Sequence, residues 1–419
     1  MPAVGGGLIG LDLEVPCLDG LRRRYVNLDY AASTPVLAAV WDAVEAFVPF
    51  YSSVHRGTGA KSRISTEAYE AARATIARFV GARTGTTVIV RNTTEAINVL
   101  AAALPAATRV LSTPVEHHAN MLPWRRHDLR VLPFPTSPAH LLAATRQALE
   151  ERHTDLLAVT GASNVTGEVW PLQELAELAH AYGAQLFVDA AQLAPHRPID
   201  MDEDGIDHLA LSGHKLYAPF GAGALVSREA VIGDPLIQGG GAVKLVTDDD
   251  VIWAEAPERY EAGSPNVIGA VALAAACDAL DMDGAATRER ALAARLHEGL
   301  AAIPGLTTYR LWPHHEERVG VATFNLAGWT HHELAQWLSD HHAIGVRHGC
   351  FCAHPLLTRL LGVPDAEARR LHAELQAGRD PELPGAVRAS LGVGTTAQDV
   401  DALLAALSAA LGSDRARPR

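Results

Sequence analysis

Three polar side chains stand at the close of three short apolar runs. Asn164 follows the run 156–160, Asp189 closes 186–189, and Lys215 follows 208–211. Each has a bland explanation by itself. An aspartate after a strand caps or turns the chain, and a lysine in a Gly-His-Lys loop is a solvated charge. Taken together, they would meet in one place, because open α/β sheets bind ligands outside the carboxyl ends of their strands. A further run, 88–91, passes through Asn92-Thr93-Thr94 into a helical stretch. Hydroxyls and unpaired N–H groups at a helix start suit a phosphate.

An amine, a carboxylate and a phosphate cradle in one crevice match the demands of pyridoxal phosphate. That cofactor needs a lysine to bind it covalently, and an acid to keep its ring nitrogen protonated so that the ring accepts electrons.

The four cysteines divide into two kinds. Cys17 in the N-terminal lead-in and Cys277 on an Ala-rich helix read as small apolar fillers. Cys350 and Cys352 sit in Arg347-His348-Gly349-Cys350-Phe351-Cys352-Ala353-His354-Pro355. Cationic neighbours of this kind would lower a thiol pKa and raise its thiolate fraction. A metal reading of Cys350, Cys352 and His354 fails because the second half of a zinc site is missing, so no metal is expected.

The elements that must position these groups follow from pattern. Apolar runs alternate with Ala/Leu-rich stretches, which predicts an α/β protein with a mostly parallel sheet. Helices are predicted over 65–80 with Glu67 in the first turn, 96–104, 171–182 (stopped by Gly183), 270–280 and 286–302. Strands are predicted over 321–326, 344–347 and 386–391. Thr330 and Glu333 have the spacing of a capping box opening a helix to His342. Gly5-Gly6-Gly7 reads as a flexible lead-in and 412–419 as a frayed tail.

The length of 419 residues allows two to four domains at about 100–200 residues each, and 48% hydrophobic residues can form a sizeable core. Lys and Arg number 35 against 48 Asp and Glu, a balance of −13 that argues against nucleic acid or an anionic membrane as partner. No apolar run approaches the roughly 18 residues of a membrane span. The start of the chain has no positive region ahead of its apolar stretch, unlike a secretory signal. With few cysteines, the chain is expected in the cytoplasm. No Gly-x-Ser-x-Gly elbow, Walker-type phosphate loop, dinucleotide fingerprint or His-Glu-x-x-His pair occurs.

One family joins these pieces. Along the chain stand Asn27-Leu28-Asp29-Tyr30-Ala31-Ala32, His55-Arg56-Gly57, Thr93-Thr94-Glu95, Glu116-His117-His118-Ala119-Asn120, Ser163-Asn164 and Asp189-Ala190-Ala191-Gln192. Then come Ser212-Gly213-His214-Lys215, Gly239-Gly240-Gly241, Glu261-Ala262-Gly263-Ser264-Pro265-Asn266, Arg347-x-Gly349-x-x-Cys352-Ala353-x-Pro355 and Arg388-Ala389-Ser390-Leu391. In this order they resemble the class V pyridoxal-phosphate enzymes, most closely the cysteine desulfurase/selenocysteine lyase branch. Three positions depart from the pattern. Phe351 stands where a polar residue such as His is common. Gly392-Val393-Gly394 replaces a bulkier, aromatic-containing stretch, and Ser264 replaces a Thr.

The resemblance implies a fold-type-I architecture, with a seven-stranded, mostly parallel sheet in a large domain over 29–266. A smaller α/β domain would be built from 1–28 and 267–419. It implies that Lys215 holds the cofactor and moves the substrate Cα proton, that Asp189 pairs with the ring nitrogen, that Gln192 reaches the phenolic oxygen and that His117 stacks on the ring. Thr93, Thr94, Ser212 and His214 would bind the phosphate. Ser264 would reach it from a neighbouring subunit, which makes the protein a homodimer with shared sites. Asn164 and Arg388 would hold a substrate carboxylate, a task that suits a guanidinium fork. Cys352 would take sulfur from L-cysteine as a persulfide, leave alanine and pass the sulfur to an acceptor protein. The alternative is a class V reaction on a small amino acid that does not use Cys352: selenocysteine lyase, β-lyase, epimerase or aminotransferase.

Overall fold

The computed structural model describes residues 7–230, 232–315 and 317–412. Gly5 and Gly6 of the lead-in, and the tail beyond Gly412, lie outside the described residues.

Seven strands form the main sheet: β1 (Thr86–Val90), β2 (Arg109–Ser112), β3 (Asp128–Val131), β4 (Leu156–Thr160), β5 (Gln185–Asp189), β6 (His208–Ser212) and β7 (Gly223–Ser227). Their order is β1-β7-β6-β5-β4-β2-β3, parallel except for β7, which runs antiparallel to both neighbours. The pleat sorts the side chains. Leu157, Val159, Leu186, Val188, Leu209 and Leu211 enter the largest hydrophobic cluster, whereas Leu156, Ala158, Phe187 and Ala210 enter a cluster on the opposite face. Both faces are therefore covered, which explains why these strands read as unbroken apolar runs rather than as alternation.

A four-stranded antiparallel sheet has the order β8 (Leu306–Tyr309), β9 (Val321–Leu326), β11 (Ala386–Ser390), β10 (Arg347–Gly349). A third cluster packs it against α4 (Met282–Ala301), α5 (His331–His342) and α7 (Ala397–Leu411) and takes in Val26 and Leu28 from the other end of the chain. Val26–Asn27 also pairs in parallel with Ile344–Gly345. The helix α3 (Val267–Ala279), expected in the second lobe, instead buries Val267, Ala270, Leu273 and Ala276 in the main cluster, beside the helices Ala38–Phe47 and α1 (Ala60–Phe79).

Two predicted elements need correction. Helix α1 starts at Ala60 rather than at 65, so Glu67 lies beyond its first turn. Its first buried positions are Ser62 and Ser65, whose hydroxyls donate to the carbonyls of Ser53 and Phe50. A helix face satisfied by hydrogen bonds leaves no trace in hydrophobic periodicity. The single strand expected at 344–347 is two: Ile344–Gly345 pairs near the N-terminus, and the chain then joins the other sheet as β10. The capping box at Thr330 and Glu333 forms as expected, and Gly183 carries the positive φ of a helix stop.

One glycine sets the approach of strand to helix at the main sheet's edge. A Cβ on Gly223 would lie 2.6 Å from the Leu211 carbonyl oxygen and 2.8 Å from the Asn92 Cα, both backbone atoms that cannot swing aside. Gly223→Ala should therefore destabilise the fold by about 1–3 kcal/mol, read as a lower thermal midpoint. An unchanged midpoint would mean that β6, β7 and the segment after β1 separate without cost.

Candidate active site

Strands β4, β5 and β6 are adjacent and parallel, so their carboxyl ends open on one side. Asn164, Asp189 and Lys215 consequently line a single crevice of about 300 Å³. Thr93, Thr94, His117, Gln192, Ser212, His214, Cys352 and Arg388 line it too. Eleven of the twelve expected site residues thus meet in one cavity. Ser264 does not: it is exposed and lines a separate, larger cavity with His55 and Arg56. The rest of its motif holds the local fold. Glu261 accepts from Arg73, Tyr69 and Ile89, and Asn266 caps α3.

Burial governs the charges at the crevice floor. Asp189 is raised from the ordinary carboxylate range by burial, while the Ala191 N–H at 3.0 Å and the Lys215 charge favour its anion. Lys215 is brought down to about 8 by burial, with Arg388 pushing the same way and Asp189 and Cys352 opposing. Its amine is therefore partly uncharged near neutral pH. His117 is held down to about 3, mostly by burial and then by Lys215. It is a neutral ring, and its Nδ1 accepts the Ala119 N–H at 3.1 Å.

Helix α2 (Thr93–Ala103) begins at the crevice wall. Asn92, expected among the phosphate-binding groups, is its N-cap and accepts the Glu95 N–H at 3.0 Å. The Thr93 N–H donates to the Ser212 hydroxyl at 2.8 Å, and the two hydroxyls also lie 2.8 Å apart. The Thr94 N–H in this first turn has no intrahelical acceptor. With the Thr94 and Ser212 hydroxyls and the His214 imidazole, it forms a small anion-binding corner at the positive end of the helix.

Among the described residues that line the crevice, two carry a buried side-chain atom with no hydrogen-bond partner. Gln192 donates from Nε2 to the Ala31 carbonyl at 2.7 Å, while its Oε1 is unpaired. Arg388 donates from one terminal nitrogen to the Asn164 backbone carbonyl at 2.8 Å and pairs at 3.4 Å with Asp29, yet its Nε is unpaired. Unsatisfied buried groups are costly, and here they sit among cavity-lining residues whose polar atoms could answer a ligand. The Asn164 side chain is already engaged: its Nδ2 donates to the Phe351 carbonyl at 2.8 Å.

The second sheet delivers Arg388 from β11, and the turn after β10 delivers Cys352. Phe351 and Cys352 both have left-handed φ, 53° and 55°, at a cost of about 1–3 kcal/mol each. Phe351 answers for its unusual identity: its buried ring lies under the Arg388 guanidinium at 5.0 Å. Cys352 is exposed at the crevice mouth, and Cys350 is half-buried against the main cluster. The cationic surroundings expected from Arg347, His348 and His354 are rearranged. Arg347 pairs with Asp29 at 2.9 Å, and His348 is engaged with His331 and His332 and pushed below its usual range by burial and those rings. The crevice also brings Lys215 and Arg388 to the same cavity as Cys352.

Three residues with no role in the sequence reading belong to this construction. Asp29 anchors Arg347 and Arg388. Phe351 covers Arg388. Glu116, fully buried and raised to about 8 by that burial, is bound by Thr113 and Asn120, both at 2.6 Å. Asp29 and Glu116 stood inside quoted motifs, so a signal existed for both. The glycines at 392 and 394 make room for Tyr30, since a Cβ on Gly392 would lie 2.2 Å from its ring.

The family model described as aminotransferase class-V matches residues 26–403. The chain is 34% identical over 396 residues to a probable cysteine desulfurase of Halalkalibacterium halodurans, covering 90% of this chain and 91% of the relative. It is 36% identical over 399 residues to a cysteine desulfurase of Cronobacter sakazakii, covering 91% and 92%. Among solved structures it resembles the apo cysteine desulfurase of Thermococcus onnurineus NA1, with a TM-score of 0.81, 29% identity and coverage of 93% and 95%. The cysteine desulfurase CsdA of Escherichia coli, in an S-sulfonic acid form, gives 0.75 at 32% identity with the same coverage.

The charges on Lys215 can be tested directly. Reductive methylation of Lys215, followed by mass spectrometry across pH, should show a midpoint near 8. Asp189→Asn removes an anion that raises the amine pKa, so the midpoint should fall. Arg388→Gln removes a cation that lowers it, so the midpoint should rise. Identical midpoints in all three proteins would show that neither charge reaches Lys215.

Proposed function

Starting from the fact that this chain belongs to the class-V aminotransferase family, we propose that it is a pyridoxal-phosphate-dependent cysteine desulfurase. The observation that carries this reading is an exposed cysteine, Cys352, held at the mouth of the crevice whose floor is formed by Lys215 and Asp189. The residues fit the cofactor. Lys215 would bind it through Nζ, Asp189 would face its ring nitrogen, and the neutral His117 ring would stack on it. Gln192 would meet its phenolic oxygen through the unpaired Oε1, and Thr93, Thr94, Ser212 and His214 would hold its phosphate. Bound there, pyridoxal phosphate supplies an electron sink for negative charge developed at a substrate's Cα.

The protein's own groups do the rest. Arg388, with an unpaired Nε and a guanidinium fixed by the Asn164 carbonyl, Asp29 and the Phe351 ring, binds the substrate carboxylate. The Asn164 amide supports that site by holding the Phe351 carbonyl. Lys215 Nζ, partly unprotonated near neutrality, takes the proton from Cα and returns one when alanine forms. Cys352 Sγ receives the sulfur. The balance is L-cysteine plus the Cys352 thiol giving L-alanine plus a Cys352 persulfide, with no outside oxidant or reductant. An acceptor protein would then take the sulfur from the exposed persulfide. Ser264 enters this reading through a second copy of the chain, because it is exposed and outside its own crevice. The division into a large cofactor-binding part and a smaller part drawn from both chain ends is supported by the cluster that joins Val26 and Leu28 to residues 293–410.

With L-cysteine and pyridoxal phosphate, the protein should release one alanine for each sulfane sulfur retained on Cys352. Cys352→Ala should lower the rate roughly a hundredfold, and Arg388→Lys should raise KM for cysteine about tenfold, because an ammonium cannot supply the planar fork. Undiminished alanine formation by Cys352→Ala would assign the chain to a class V reaction that needs no thiol.

A further inference from the structure

The turn that carries Cys352 is held from two sides. The Ala353 N–H closes it onto the Cys350 carbonyl at 3.0 Å. On the Phe351 side the contacts are those of Asn164 and Arg388. On the Cys352 side they run to one residue, His118. The His118 backbone N–H donates to the Cys352 carbonyl at 2.7 Å. The His354 backbone N–H lies 3.3 Å from His118 Nε2, and His354 Nδ1 lies 3.2 Å from the same atom. The two imidazoles stack with centroids 5.0 Å apart and planes inclined by 13°. His354 is exposed and opens the helix α6 (His354–Leu360), so nothing else fixes its ring among the described residues.

Two donors converging on one nitrogen define its state. The His354 backbone N–H can only donate, so His118 Nε2 offers a lone pair and His118 is neutral with its proton on Nδ1; His354 Nδ1 joins that bond in the tautomer that carries its proton there. Resting on the desulfurase reading of Cys352, we propose that His118 and His354 form a clasp that positions the Cys352 turn for sulfur transfer and opens when His118 takes up a proton. A proton on Nε2 would place three N–H groups face to face, and the exposed His354 ring would leave for solvent. On the Cys352 side the turn would then keep only the backbone hydrogen bond from the His118 N–H and would lose the imidazole contacts that hold the start of α6 against it. The charged and titratable groups facing His118 are His354, Arg125 and His117. Burial, His354 and Arg125 all disfavour its cation, and His117 is itself held neutral. The clasp therefore stays closed at neutral pH and opens below the ordinary imidazole range. His118 and His354 are positioning residues, since neither lines the crevice.

The test loads the pyridoxal-phosphate holoenzyme with L-cysteine in a single turnover and measures sulfane sulfur on Cys352 across pH. His354→Leu should load about tenfold more slowly at neutral pH, and iodoacetamide should alkylate its Cys352 at an altered rate without substrate. His354→Gln, whose amide can still donate to His118 Nε2, should load within about threefold of wild type. His118→Gln offers a carbonyl oxygen to both donors and does not titrate. The ratio of its loading rate to wild type, in which ionisations common to both proteins cancel, should stay near one at neutral pH and climb at least about threefold toward pH 5. A flat ratio, or wild-type loading by His354→Leu, overturns the clasp. Sulfane sulfur retained by Cys352→Ala would instead overturn the desulfurase reading on which the clasp rests.

Discussion

The fold is arranged around the desolvation of two opposite charges at one end of a parallel sheet. Lys215 and Asp189 sit at the carboxyl ends of adjacent strands, and burial works against the charged form of each. The lysine is drawn toward neutrality, yet the aspartate keeps it from losing its proton altogether. Such a balance survives only where water is scarce and geometry is fixed. Strands covered on both faces provide this, since their apolar side chains fill two clusters and leave only the strand ends to carry polar groups.

The second sheet closes the same crevice from outside and brings groups of a different kind. Arg388 is fixed by Asp29, by the Asn164 carbonyl and by the Phe351 ring, contacts that come from three distant parts of the chain. Asp29 itself is stitched to the sheet: the segment 28–31 pairs with Ser390 through the Leu28 carbonyl and the Ala31 N–H. The N-terminal segment therefore does more than extend a small sheet. It supplies the carboxylate that makes a buried guanidinium tolerable, and the cost of an unpaired charge at that depth explains why these contacts are so many.

Much of this arrangement was legible in the sequence, for a physical reason. Doubly covered strands announce themselves as short apolar runs, and a polar residue ending such a run marks the crevice, so Asn164, Asp189 and Lys215 stood out. Interactions made by backbone atoms and small polar side chains left no such mark. The serine face that starts α1 early, the Asn92 cap standing where a phosphate ligand was expected, and the turn of 344–349 from one sheet to another all belong to this class. Long-range pairing was equally silent. Phe351 looked like a departure from a pattern until Arg388 was seen above it, and Gly392 and Gly394 looked like a loss of bulk until Tyr30 was seen to fill their place.

The two halves of the chemistry make opposed demands, and the structure separates them by depth. In the proposed reaction, proton transfer at Cα would need an amine of lowered basicity, and burial gives Lys215 that character. On the proposed reading, delivery of sulfur to an acceptor would need a group that solvent can reach, and Cys352 is exposed. On that reading a fully buried residue could not serve, because the thiol would have to meet a substrate inside and an acceptor outside. A turn of two left-handed residues, tied by hydrogen bonds to Asn164 on one side and His118 on the other, is a mount that holds a side chain at the boundary without burying it. The strain in that turn is tolerated because external contacts over-determine it. Loosening any one of them would cost the position of the sulfur before it cost the fold.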